Sequence, residues 1–117
     1  GEGFFAAKRN GNRLHEGVDL FAAVGTPVFA ARSGRVIAAR RSKGMGNFVV
    51  IRHPGNIITT YGHLQRIYVH KNAFVRQGEI IAAVGKTGNA NYRAIQPHLH
   101  FEVRKNGVPR DPLEYLE

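Results

Sequence analysis

Glycine and proline interrupt this chain so often that no long helix fits between them. There are 14 glycines and 5 prolines in 117 residues, and the runs they bound are short and rich in Val, Ile, Phe and Ala, the make-up of half-buried strands. Strands are predicted over 28–31, 35–39, 48–52, 57–61, 80–84 and 98–104. No stretch sustains a 3.6-residue apolar period with caps, so one helical turn near 112–116 is the most that is expected. The chain therefore reads as all-β. Its hydrophobic share of 43% and charged share of 21% fit a globular domain with a single core. No apolar run approaches the ~18 residues of a membrane span, and no charged-then-apolar leader opens the chain. Residues 1–117 are expected to form one domain, mature or excised from a larger protein.

An internal repeat refines the fold. Arg32-Ser33-Gly34-Arg35-Val36-Ile37-Ala38-Ala39 recurs as Arg76-Gln77-Gly78-Glu79-Ile80-Ile81-Ala82-Ala83, displaced by 44 residues. Each copy is a glycine turn feeding a strand that ends in two small residues, where another strand can approach closely. Two copies do not make a solenoid, which needs at least ~3 repeats. They predict a compact sandwich or barrel with quasi-symmetric halves.

The available chemistry is narrow. There is no cysteine, which removes disulfides, thiolate zinc sites, iron–sulfur centres and thiol nucleophiles. Ser33 and Ser42 are the two serines, and neither sits in a Gly-x-Ser-x-Gly turn. Gly85-Lys86-Thr87 resembles the end of a phosphate loop, but Ile80 stands where the first glycine is required. Six histidines remain.

In His98-Leu99-His100-Phe101-Glu102-Val103 polar and apolar residues alternate strictly. On a strand, His98, His100 and Glu102 share one face and the three apolar residues point to the core. Two imidazoles ~6.5 Å apart along the backbone can both reach one ion, or one can bind it while the other reaches the water on it. In His15-Glu16-Gly17-Val18-Asp19 an extended chain turns the imidazole and the carboxylate to one side, with Gly17 leaving room for an ion and Glu16 facing away. His63 follows Thr60-Tyr61-Gly62. Together these segments offer two imidazoles and one carboxylate to a metal, with two imidazoles to spare. That resembles a catalytic zinc set with an open position, and the excess of imidazole over oxygen favours Zn²⁺ over Mg²⁺ or Ca²⁺. His53 before Pro54 and His70 before Lys71 sit at apparent turns and read as structural or exposed.

His-x-x-x-Asp, then Tyr-x-His-Leu, then His-Leu-His-Phe-Glu, in that order, resembles the lysostaphin/LytM-type zinc metallopeptidases, which cut peptides of bacterial peptidoglycan. Gly25-Thr26-Pro27-Val28, Ala30, Gly34, Gly46-Asn47, Gly78, Gly85, Thr87-Gly88 and Asp111-Pro112 extend the likeness over nearly the whole chain. The resemblance implies a duplicated hybrid barrel-sandwich of mainly antiparallel strands. It implies one Zn²⁺ held by His15, Asp19 and His100, with His98 and His63 as catalytic imidazoles. Glu102 is then either a carboxylate that orients a ligand imidazole or a surface charge. The implied substrate is peptidoglycan peptide and the implied location the bacterial cell envelope, periplasmic or extracellular. Two segments depart from the family form, Phe4–Arg9 and Arg93–Gln96, and both would border the substrate groove.

Charge adds a further expectation. Seventeen Lys and Arg against eight Asp and Glu give +9, which predicts attraction to a polyanion such as an anionic wall. The basic residues are not interleaved with aromatics on one stripe, so nucleic acid is not the expected partner. Three other readings compete: a catalytically silent activator of wall hydrolases, a biotinyl- or lipoyl-like carrier domain, and a nucleic-acid binder. A carrier gives no reason for His15, Asp19 and His100.

Overall fold

The computed structural model describes residues 17–90 and 95–116. Its strands are β1 (Val18–Phe21), β2 (Pro27–Phe29), β3 (Gly34–Ser42), β4 (Gly46–His53), β5 (Ile57–Ile67), β6 (Phe74–Val75), β7 (Ile80–Val84), β8 (His98–Lys105) and β9 (Val108–Arg110). Single 3-10 turns cover Gly88–Ala90 and Pro112–Tyr115. The second is the helical turn expected near the C-terminus. Asp111 caps it by accepting a bond from the Leu113 amide, and Pro112 fills its first position, the usual chemistry of a helix start. The all-β expectation holds.

Every strand pairing among the described residues is antiparallel. The main path runs β1-β8-β5-β4-β3-β6, with β9 on β8 and β7 joining β5 to β2. Inward residues form one apolar cluster that includes Val28, Val36, Ile51, Tyr61, Leu64, Ile81, Leu99 and Phe101. The period-2 alternation of β8 is realised: Leu99, Phe101 and Val103 are buried in that cluster.

The repeat is physical. The Gln77 amide donates to the Ser33 hydroxyl at 2.8 Å, so the two turns, 44 residues apart in sequence, lie side by side. Gly78 and Glu79 exchange further backbone bonds with Ala30. The two glycines serve different needs. Gly78 adopts φ +84 in open space, whereas a Cβ on Gly34 would lie 2.3 Å from the Arg52 carbonyl oxygen.

Two strands run past their expected ends. β3 continues through Arg40 and Arg41 to Ser42, so its copy of the repeat does not stop at the small pair. β5 continues through Gly62 to Ile67. Up to Gly62 it pairs with β8, and from Leu64 it pairs with β7. The transfer takes place at His63, which has φ 62, and a register shift follows between Leu64 and Arg66. A left-handed backbone at a non-glycine residue is uncommon and costs on the order of 1–3 kcal/mol. It bends β5 and turns His63 out of the strand alternation.

Candidate active site

The register of three strands assembles the site. Asp19 on β1 stands opposite His100 on β8, and His100 stands opposite Gly62 on β5. His98 lies two residues back along β8, and His63 follows Gly62 at the bend. The structure thus brings together Asp19, His63, His98, His100 and Glu102. His15 lies outside the described residues, as do 4–9 and 93–94 of the departing segments. His53 and His70 are elsewhere, the first buried and structural, the second exposed.

Gly17 has another use than the one expected. A Cβ there would sit 2.4 Å from the Phe101 carbonyl oxygen and 2.7 Å from Glu102 Cγ, with φ already +91. The room it leaves is taken by β8, so the glycine lets β1 lie close against the strand that carries the histidines.

Hydrogen bonds hold both spare imidazoles in one orientation. His63 Nδ1 lies 2.8 Å from the Thr87 carbonyl oxygen, and His98 Nδ1 lies 2.9 Å from that of Gln96. A carbonyl only accepts, so each Nδ1 carries the hydrogen and each Nε2 keeps its lone pair. The rings meet edge-on with centroids 5.0 Å apart, and His98 Nε2 is 3.9 Å from Asp19 Oδ1. The free nitrogen of His98 thus faces Asp19, and the His63 ring lies 6.0 Å from the His100 ring, centroid to centroid. Burial holds the His63 imidazole below its usual range against the opposing Thr87 carbonyl, with the neighbouring His98 and His100 adding to the effect. A neutral ring at neutral pH is available to take a proton.

His100 is placed between two carboxylates. Its Nδ1 lies 2.9 Å from Asp19 Oδ1 and its Nε2 lies 2.8 Å from Glu102 Oε2. Burial opposes protonation, but bonds to Asp19 and Glu102 outweigh it and hold the ring up at about 9. Burial likewise works to raise the Asp19 carboxyl, and the His100 bond with the surrounding imidazoles brings it below its usual value. The His100 Nδ1 and Asp19 oxygen that share this contact both offer lone pairs once the proton between them is removed, the donor pair of an imidazole-binding metal. With Glu102 fixing Nε2–H, Nδ1 is the ring nitrogen left to ligate. Imidazole and carboxylate are zinc donors, so these residues fit that metal. Among the described residues no group of three potential ligands stands close enough to hold an ion, and the third expected ligand is His15.

Sequence reasoning did not foresee the parts played by Thr87, Gln96 and Met45. Thr87 and Gln96 act through backbone carbonyls, and Met45 accepts the His63 amide hydrogen through its own. Such roles leave no side-chain signature. Gly62 is where that bracing shows: its missing side chain admits the Met45 sulfur, 2.5 Å from where a Cβ would be.

A β-sheet domain of this topology, with Asp, His and His-x-His in this order, is shared by the members of one family. The chain belongs to peptidase family M23, which it matches over residues 13–112. It is 44% identical over 101 residues to the DD-carboxypeptidase/endopeptidase Mpg of Neisseria meningitidis, covering 86% of this chain and 22% of that protein. It is 34% identical over 113 residues to the murein hydrolase activator NlpD of Escherichia coli, covering 96% of this chain and 28% of that one. The catalytic domain of lysostaphin from Staphylococcus simulans superposes with a TM-score of 0.85 at 30% identity, covering 96% of this chain and 93% of that one. The chain thus spans only 22% and 28% of the length of these two curated relatives. The likeness to the lysostaphin-type fold is borne out, and so is the link to proteins that act on peptidoglycan.

Proposed function

We propose that this domain is a zinc-dependent endopeptidase that hydrolyses peptide bonds of peptidoglycan in the bacterial cell envelope. The observation that carries the reading is the convergence of two tautomer-fixed imidazoles, His63 and His98, on the Asp19–His100 pair. Asp19, His100 and, as third ligand, His15 would hold the ion. Zinc bound there would polarise the scissile carbonyl and acidify water. His98 Nε2 or His63 Nε2 takes the proton of the attacking water and returns it to the departing amine. The other imidazole, as its imidazolium with hydrogen on Nε2, steadies the oxyanion that develops on the carbonyl. Glu102 keeps the His100 ring from turning.

The likeness to NlpD favours a second reading, a domain that activates other hydrolases without cutting. The presence of both free imidazoles supports the enzyme, because an activator has no need of a neutral base beside a ligand pair. Elemental analysis of the metal-replete protein is expected to find about one zinc per chain, lost in His15→Ala and Asp19→Ala. Purified peptidoglycan should release peptide fragments identifiable by mass spectrometry. His63→Ala and His98→Ala should keep the zinc and lose roughly 10²–10⁴-fold in turnover. A zinc-loaded wild-type domain that leaves peptidoglycan uncut would overturn the enzyme reading.

A further inference from the structure

The β3–β4 hairpin carries an open depression of about 430 Å³ lined by Arg41, Ser42, Lys43 and Gly88. Its lining holds two cations and no carboxylate. Arg40, by contrast, lies over the Phe48 ring, 4.9 Å from its centroid. Arg41 and Lys43 are exposed, and neither makes an ion pair or a side-chain hydrogen bond among the described residues.

The hairpin is tied to the site. The Asn89 amide donates to the Gly44 carbonyl at 2.9 Å, and the His63 amide donates to that of Met45 at 2.7 Å. The Asn47 amide donates to the Thr87 hydroxyl at 3.0 Å. Gly46 and Gly88 let the two backbones touch: a Cβ on Gly88 would lie 2.2 Å from the Gly46 nitrogen. Gly88 therefore lines the depression while its neighbour Thr87 holds the His63 ring. The depression and the His63 ring are thus held by two consecutive residues of one backbone turn.

We propose that Arg41 and Lys43 form a carboxylate-binding subsite, so that the domain prefers peptide substrates bearing a free carboxylate near the bond it cuts. The proposal rests on the endopeptidase reading for its substrate. A guanidinium matches the two oxygens of a planar carboxylate with parallel bonds, and Lys43 adds a point charge. An amide in the same place offers one neutral acceptor.

Two measurements decide it. The zinc-loaded domain is assayed on a cross-linked muropeptide and on counterparts in which each free carboxylate is amidated in turn. One amidation is expected to lower kcat/KM by about tenfold, chiefly through KM, as loss of a charge-assisted contact would. Arg41→Gln/Lys43→Gln should bring that ratio close to one, while Arg104→Gln, a charge removed at the far end of β8, should leave it unchanged. Independently, a free stem tetrapeptide titrated into the protein should shift the amide resonances of Ser42, Lys43 and Gly88, and its amidated form should not. A ratio that persists in the double variant overturns the proposal, as does inorganic phosphate shifting the same resonances as strongly as the peptide. If neither muropeptide is cut, the endopeptidase reading fails, and the titration still decides the subsite.

Discussion

Burial acts on two imidazoles of this chain with opposite net results. His100 meets carboxylates at both nitrogens and is held up at about 9. His53 is 3% exposed and its hydrogen-bond partners are neutral: Nδ1 lies 2.8 Å from the Ser33 carbonyl oxygen and Nε2 lies 2.7 Å from the Thr59 hydroxyl. Burial therefore pushes it down, the Ser33 carbonyl opposing and Arg32 adding to the shift. Between its folded pKa and the ordinary value near 6.5 the unfolded chain binds more protons, so stability rises with pH. The stabilisation His53 gives by staying neutral is full above about pH 7 and is lost as pH falls through that window. Denaturant unfolding at pH 7.5 and 5 should show a smaller loss in His53→Gln than in the parent. An equal loss would move the pH dependence to other groups.

At the scale of the element, the paired glycines decide whether the hairpin can hold His63. Gly46 has φ +67, and a Cβ on it would lie 2.3 Å from the Thr87 hydroxyl oxygen. Gly25 has φ +94 with nothing within 4 Å. Gly25→Ala should cost only backbone strain, roughly 1 kcal/mol. Gly46→Ala adds a clash with a hydroxyl that accepts from Asn47 and donates to the Leu64 carbonyl, and should cost at least about 2 kcal/mol. Denaturant midpoints of the two variants check the order.

The same elements show what was legible in the sequence. The face shared by His98, His100 and Glu102 was readable because a period of two survives on any strand with one buried side. The limits of β3 and β5 were not. Arg40 and Arg41 look like a loop because an exposed hairpin arm needs no apolar alternation, and Gly62 looks like a stop although its role is to admit Met45. β1 was too short to stand out. The carbonyls that fix His63 and His98 leave no trace in residue type at all.

Taken as a whole molecule, the chain carries +9, most of it outside the site. If that charge holds the domain on an anionic wall, cleavage of intact sacculi should fall as salt rises from ~0.1 M to ~1 M, where the screening length shrinks from ~10 Å to ~3 Å. Hydrolysis of a short uncharged cross-link peptide should hardly change. Equal salt sensitivity of the two substrates would mean that the basic surface does not anchor the domain.

The position of β8 between β1 and β5 also sets an order of events. The bond between Asp19 and His100 joins residues 81 apart, and contacts of such long range close late because the loop between them must be ordered first. During synthesis Asp19 and His63 emerge well before either member of His98-x-His100. A nascent or truncated chain that ends before β8 thus has neither the strand that joins β1 to β5 nor the paired donors. Competence for the site's chemistry and completion of the fold arrive together, with the same strand.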